Sequence, residues 1–60
     1  MDVIPIGTKV SIVERVDSKS VKFYGYVRKI VIEESIKYFV QFHPKMDWVE
    51  CATIDLEVED

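Results

Sequence analysis

The chain has 60 residues, of which 48% are hydrophobic, 12% aromatic and 32% charged. So short a chain supports one hydrophobic core, which excludes a multidomain enzyme, and its apolar content is too high for intrinsic disorder. The sequence holds no apolar run near the roughly 20 residues that span a bilayer, and its first residues lack a basic leader followed by an apolar stretch. We therefore expect a single cytoplasmic domain over residues 1–60, without membrane insertion or a secretory signal.

Charge is unevenly distributed along the chain, although the formal net charge is only −3. Eight basic and five acidic residues give residues 1–45 a charge of +3, whereas six acidic residues and no basic residue give residues 46–60 a charge of −6. Such a separation favours oriented docking on a charged partner, unless folding mixes the two parts. The net negative charge disfavours strong nonspecific DNA binding, which depends on phosphate neutralisation.

The first predicted strand covers residues 8–15, where polar and β-branched residues alternate with the two-residue period of a half-buried strand. Pro5 and Gly7 mark its entry. The apolar residues 1–6 are expected to pack over a barrel opening rather than form an oligomer contact, because an unpaired hydrophobic edge would promote aggregation. The polar residues 16–22 predict a surface loop.

A long second strand is predicted over residues 23–33, which are rich in Val, Ile and Tyr. Val27 and Ile30 are both core candidates, although they lie three residues apart. A strand allows this only with a bulge or a sharp bend, which we expect near Arg28 and Lys29.

The third strand has the clearest alternation in the chain and follows a polar hairpin tip at residues 33–35. A helix over residues 33–38 is the main local alternative, but these residues include β-branched and aromatic types and lack an N-cap. The predicted core face of the strand contains Ile36, Tyr38, Val40 and Phe42, and the opposite face contains Lys37, Phe39, Gln41 and His43.

The last part of the chain predicts a turn, two short strands and a single 3₁₀ turn. After Pro44 a fourth strand is expected over residues 47–51, with Trp48 on one face and Val49 and Cys51 on the other. Residues 52–55 suit a 3₁₀ turn, residues 56–58 a final strand, and residues 57–60 a solvated end. Five short strands with one bent in the middle predict an all-β fold, a small five-stranded barrel.

The sequence resembles the small SH3-like barrels, which include KOW and Tudor-type modules and the photosystem I subunit IV barrel. The resemblance covers about fifty residues, mainly turn glycines and core aliphatics, and therefore implies a fold more than a function. A Tudor-type role would imply an aromatic cage around a cation, and the photosystem relation would imply docking within a membrane-bound electron-transfer complex. The matching segments are Gly7-Thr8-Lys9-Val10-Ser11-Ile12, Gly25-Tyr26-Val27 with Ile30, Ile36-Lys37-Tyr38-Phe39-Val40-Gln41-Phe42, and Asp55-Leu56-Glu57-Val58.

The residues that could carry chemistry are few. His43 and Cys51 are the only histidine and cysteine, and a nucleophilic pair would also need an orienting group, an oxyanion site and a cleft. Cys51 is expected to be a small buried hydrophobe. Metal binding would have to combine these two residues with Asp47 and Glu50, whereas structural zinc sites take four Cys or His ligands. Two glycines form no phosphate-binding loop. We therefore expect a non-enzymatic domain without metal or cofactor.

The strongest functional signal is a set of aromatic and basic residues on the outward faces of the second and third strands. Such a surface suits a protein interface, in which Tyr, Phe and Arg are enriched. It also suits single-stranded RNA or DNA, or it stabilises a half-exposed sheet through cross-strand pairs. We predict a protein partner, with nucleic acid as the alternative. A core or lid position is favoured over a binding role for Trp48. The candidate site residues are Tyr24, Tyr26, Arg28, Lys37, Phe39 and Trp48.

Overall fold

A computed structural model describes residues 2–59 as an all-β fold with one short 3₁₀ turn and no helix among them. Five antiparallel strands form one sheet in the order β4-β3-β2-β1-β5, which confirms the predicted all-β class and the number of strands. In the described part of the chain, no helix is long and apolar enough to cross a membrane. The elements are β1 (Lys9–Val16), β2 (Lys19–Ile32), β3 (Ile36–Gln41), β4 (Val49–Ala52), the 3₁₀ turn (Thr53–Asp55) and β5 (Glu57–Val58).

The connection between β1 and β2 is shorter than the sequence predicts. Val16 pairs directly with Lys19, so that only Asp17 and Ser18 lie between the strands, with φ angles of 50° and 66°. Positive φ at both central residues characterises the tight hairpin turn whose twist matches that of the flanking strands. The predicted loop over residues 16–22 is therefore wrong. Its polar residues belong to a hairpin that is exposed on both faces. Polar and apolar residues therefore do not alternate there, and the sequence pattern does not identify the strands.

The predicted bend in β2 is confirmed. The pairing with β3 shifts register between Val27 and Lys29, which leaves Arg28 as the extra residue of a bulge. Val27 pairs with Val40 before the shift and Ile30 pairs with Tyr38 after it. The bulge thus keeps Val27 and Ile30 on the same face of the sheet.

The core is small and is centred on β2 and β3. Tyr38 and Val40 are fully buried, as predicted, whereas Ile36 and Phe42 are partly buried and pack against the cluster. The fully buried residues Val10 and Val27 and the buried Cys51 complete the core.

Part of the N-terminal segment packs on this core, which confirms the expected packing but not its place over a barrel opening. Val3 and Ile4 contact the core cluster, and the Ile4 N–H donates a hydrogen bond to the buried Tyr38 hydroxyl at 3.0 Å. That bond satisfies a polar group that would otherwise be costly to bury. Ile6 is exposed, and Met1 lies outside the described residues.

Two glycines hold positions that other residues would strain. Gly7 has φ +93°, and its N–H donates to the Val27 carbonyl at 2.7 Å, which fixes the entry to β1. A Cβ on Gly25 would lie 2.7 Å from the Gln41 carbonyl oxygen and 2.8 Å from Val40 Cγ1. The absent side chain therefore permits β2 and β3 to approach closely near the bend.

The C-terminal residues are part of the sheet. The predicted final strand over residues 56–58 is confirmed at Glu57–Val58, and the predicted solvated end is wrong for residues 57–59. Val58 pairs with Val10, and the Glu59 N–H donates to the Lys9 carbonyl at 2.9 Å. The two-residue β5 thus covers one end of the β1 edge, a role that so short and acidic a segment does not reveal by periodicity. Asp60 lies outside the described residues.

Candidate functional site

Strand register brings aromatic and basic side chains to one face of the sheet. Directly opposed residues of an antiparallel pair point to the same side, and Lys9 lies opposite Tyr26 while Lys29 lies opposite Phe39. We call this surface the aromatic–basic face and define it by Lys9, Lys22, Tyr24, Tyr26, Arg28, Lys29 and Phe39.

Each outward ring of the aromatic–basic face has a cation near it. The Lys9 and Lys22 ammonium groups lie 5.2 and 5.7 Å from the Tyr24 ring centroid. The Arg28 guanidinium lies 5.8 Å from the Tyr26 centroid, and Lys29 Nζ lies 5.5 Å from that of Phe39. These distances fall within the range of cation–π attraction. The four cations are thus distributed over three rings, so each ring combines an apolar surface with a neighbouring positive charge.

A carboxylate anchors one end of the face. The Ser11 hydroxyl, which is buried, donates to Glu59 Oε2 at 2.7 Å, and the same oxygen lies 3.3 Å from Lys22 Nζ. The Ser11 hydrogen bond, followed by the Lys22 contacts, lowers the pKa of Glu59, and the hydrogen bond to Glu59 raises the pKa of Lys22. The ion pair with Glu59 thus holds the charged Lys22 ammonium beside Tyr24.

A small pocket of about 160 Å³ adjoins Tyr26. The Arg28 Nε–H donates to Gln41 Oε1 at 2.9 Å, which orients the guanidinium at the pocket wall. On the other side, His43 Nδ1 accepts a hydrogen bond from the Lys45 N–H at 3.1 Å, which fixes the turn after β3. The pocket is lined by Tyr24, Gly25, Tyr26, Arg28, Gln41, Phe42, His43 and Pro44.

Three of the predicted site residues meet at this pocket, namely Tyr24, Tyr26 and Arg28. Phe39 lies further along β3 beside Lys29, and Lys37 lies opposite Ala52 towards the other end of that strand. These two residues extend the outward surface beyond the pocket.

Trp48 does not occupy the core or lid position that the sequence favours. Its side chain is 49% exposed, and it precedes β4 on the connection from β3. Because Cys51 is buried on the core side of β4, strand alternation directs position 48 away from the core. Tryptophan is buried on average, but here the orientation of β4 determines that Trp48 is exposed.

Sequence reasoning missed Lys9 and Lys22 as neighbours of Tyr24, and His43 and Pro44 as pocket walls. The lysines required the β1–β2 register, which the incorrect loop concealed. Outward alternation at His43 was a usable signal, since it follows the outward Gln41 by two residues.

His43 and Cys51, considered from the sequence as a nucleophilic pair, make separate contacts. Cys51 Sγ donates to the Val49 carbonyl at 3.7 Å, whereas His43 is exposed and contacts Lys45. Burial raises the pKa of the Cys51 thiol, with Asp55, Glu14 and Glu50 adding to the effect. The thiol is therefore protonated at neutral pH and weakly nucleophilic. Among residues 2–59, no three His, Cys, Asp or Glu side chains are grouped so that they could hold a metal ion.

Neither a protein-family model, nor a curated protein, nor a solved structure matches this chain significantly.

Proposed function

We propose that this chain is a non-enzymatic, SH3-like barrel module that binds a partner protein through the aromatic–basic face. The fold part of the proposal is supported by five antiparallel strands, the bulge in β2 and the 3₁₀ turn before the short β5. It is also supported by a cleft that residues of both β1 and β4 line. These two strands are separated in the sheet by β2 and β3, so a shared cleft is expected only if the sheet is strongly curled.

The observation that carries the binding proposal is the pocket between exposed aromatic side chains and Arg28. Tyr24 and Tyr26 are 48% and 45% exposed, so that much of both rings remains free for contact. Tyrosine and arginine are the residue types that dominate the binding energy of protein interfaces. A pocket of side-chain size between them suits an apolar anchor residue, and a neighbouring Asp or Glu would pair with the guanidinium of Arg28.

Charge at the borders of the face favours a protein over nucleic acid. Glu50 lies directly opposite Phe39 on the neighbouring strand, and Glu59 lies beside Lys22 at the other border. A phosphate backbone that crossed the aromatic row would approach both carboxylates. An acidic residue of a protein partner contacts only Arg28 or Lys29 and avoids this repulsion.

The test is selection of binders from a random-peptide display library, followed by amide NMR titration of the winning peptides. We expect these peptides to combine an apolar residue with Asp or Glu and to shift the amides of residues 24–28 and 41–43. Tyr26→Ala and Arg28→Ala should each weaken binding about tenfold or more. Ile32→Ala removes an exposed apolar side chain from the end of β2, outside the pocket, and should leave affinity unchanged.

Two results would overturn the proposal. Peptides that bind elsewhere on the domain, or that ignore both Tyr26→Ala and Arg28→Ala, would remove the face as the docking site. Titration with single-stranded RNA and DNA provides the second arm, because bases stack on aromatic rings and binding falls with salt. Salt-sensitive shifts confined to residues 24–29 and 37–41 would make nucleic acid the ligand.

A further inference from the structure

A second surface, separate from the aromatic–basic face, is an open cleft of about 690 Å³ between β1 and β4. Its lining includes consecutive residues of both strands, 11–14 and 49–51. Side chains of consecutive strand residues point to opposite faces of a sheet. A cleft that both sets line is therefore bounded by the strand edges and not by one face.

Both edges at this cleft have free pairing capacity. β5 pairs only with Val10 and Ser11, and in the described part of the chain no strand lies beside the following residues of β1 on that side. β4 pairs with β3 alone, from Val49 to Ala52, and among residues 2–59 no strand covers its other edge. Unpaired strand edges are templates for an added strand.

The cleft has an apolar floor that a partner could cover. Ile12, Val49 and Leu56 contribute to the lining, and Ile54 of the 3₁₀ turn stands at its margin with 92% of its side chain exposed. Val49 is also substantially exposed. Apolar side chains that line a concave site and remain exposed indicate an interaction surface more strongly than isolated ones.

Charge at the cleft has one sign. Four acidic residues belong to the lining, Glu14, Glu50, Asp55 and Glu57, and none of the lining residues is basic. Three of these acidic residues come from the acidic segment 46–60, and Glu14 of β1 adds a fourth negative charge at the same site. The complementary ligand carries positive charge together with apolar side chains.

We propose that this cleft binds an extended, basic segment of a partner protein, which adds as a strand to the free edge of β4. Alternate apolar side chains of the segment cover Ile12, Val49 and Leu56, and the intervening lysines or arginines face the acidic rim. Main-chain hydrogen bonds hold the segment, and the charges select it from other extended peptides.

The probe is a synthetic octapeptide of four Lys-Val repeats with blocked ends, titrated into the labelled domain. We expect amide shifts at residues 11–14 and 49–57, and affinity that falls as salt rises. Glu14→Lys with Asp55→Lys should weaken binding about tenfold through like-charge repulsion. Glu33→Lys with Glu34→Lys makes the same charge change at the β2–β3 hairpin tip, outside the cleft, and should have less than a quarter of that effect on the dissociation constant.

Further peptides separate strand addition from simple charge attraction. In an extended strand alternate N–H groups point to the same side, so either the valine or the lysine N–H groups of the peptide face β4. Two further peptides carry N-methyl groups on all valines or on all lysines. We expect one of the two to lose binding to β4 and the other to keep it. Equal binding by a Lys-Ser repeat, or binding that neither N-methylated peptide loses, would overturn the proposal. So would failure of the Lys-Val peptide to bind, or self-association of the free domain through the cleft in sedimentation velocity.

Discussion

At the scale of single residues, Gly25 shows how one absent side chain permits two strands to approach closely beside the pocket. A Cβ there would meet the Gln41 carbonyl oxygen at 2.7 Å and Phe42 Cδ1 at 2.9 Å. The first contact is backbone and has no rotamer that relieves it. The residue therefore sets how closely β2 and β3 approach beside Tyr26, a direct link from sequence to the candidate site.

Gly25→Ala should therefore destabilise the domain by about 2–3 kcal/mol, as overpacking of a tight contact does. Gly7→Ala is the matched control, because open space surrounds Gly7 and only its φ of +93° is unfavourable. We expect about 1 kcal/mol for that variant. Urea unfolding of both variants measures the difference, and equal losses would show that the close contact at Gly25 relaxes without cost.

Glu59 should make stability depend on pH in the acidic range. Its pKa is lowered from the ordinary value of 4.5, first by the Ser11 hydrogen bond and then by Lys22. A carboxyl whose pKa is lower in the folded state stabilises the fold above its unfolded pKa, and this stabilisation is lost as the pH falls through the folded pKa. Glu59→Gln should lower stability at pH 7 and reduce the loss between pH 7 and acid.

Urea unfolding of wild type and Glu59→Gln across this pH range provides the measurement. Glu34→Gln removes a carboxylate from the exposed hairpin tip and should leave the pH profile nearly parallel to that of the wild type. The two profiles of wild type and Glu59→Gln should converge below the folded pKa of Glu59. A constant separation at all pH values would assign the effect to side-chain shape and not to ionisation.

At the scale of elements, the β1–β2 hairpin depends on two residues in the left-handed conformation, Asp17 and Ser18. That conformation costs roughly 1–2 kcal/mol for a residue with a Cβ, whereas glycine adopts it freely but loses more entropy on folding. Ser18→Gly should therefore stabilise the domain by about 0.5–1 kcal/mol.

Ser20→Gly provides the comparison within the same hairpin, because Ser20 lies in β2 opposite Arg15. Glycine in an extended strand weakens it, by about 0.5–1 kcal/mol. Thermal unfolding should therefore move in opposite directions for the two variants. Movement in the same direction would contradict the assignment of residues 17–18 as the turn.

The contrast between this hairpin and the β2–β3 pair shows what the sequence could predict. Alternation from Ile36 to Gln41 identified β3, and the three-residue spacing of Val27 and Ile30 located the bulge, because buried and exposed sides differ there. β1 and β2 near the turn have no buried side, and β5 has two residues. Burial generates the periodic signal, so the two-residue turn of the β1–β2 hairpin and the pairing of β5 with β1 had to be found from the structure, although a strand was predicted at each position.

The same reasoning applies to the candidate site. Alternation placed Tyr24, Tyr26 and Phe39 outward, because each lies between core-facing residues. It could not pair Lys9 or Lys22 with Tyr24, since cross-strand neighbours depend on the length of the turn. A two-residue turn in place of a seven-residue loop changes every β1–β2 pair, and with it the electrostatic surroundings of the aromatic rings.

At the scale of the whole molecule, the charge asymmetry of the sequence becomes a separation of two surfaces. Basic residues from β1 and β2 surround the aromatic rings, and acidic residues from β1, β4 and the C-terminal segment surround the cleft. Folding therefore retains the asymmetry. A domain with two surfaces of opposite charge can connect an acidic partner to a basic one, each with its own orientation.

The two surfaces should bind independently, because the linings of the pocket and the cleft share no residue. Substitutions at separate sites without common partners act additively. Arg28→Ala should leave the affinity for the Lys-Val peptide within twofold of wild type, and Glu14→Lys with Asp55→Lys should do the same for peptides selected on the aromatic–basic face.

Isothermal titration of each peptide against the domain saturated with the other measures the coupling directly. Since a peptide strand on β4 would also restrain β3, which carries Phe39 and Gln41, a change of more than threefold would show that the sheet transmits binding from one edge to the other face.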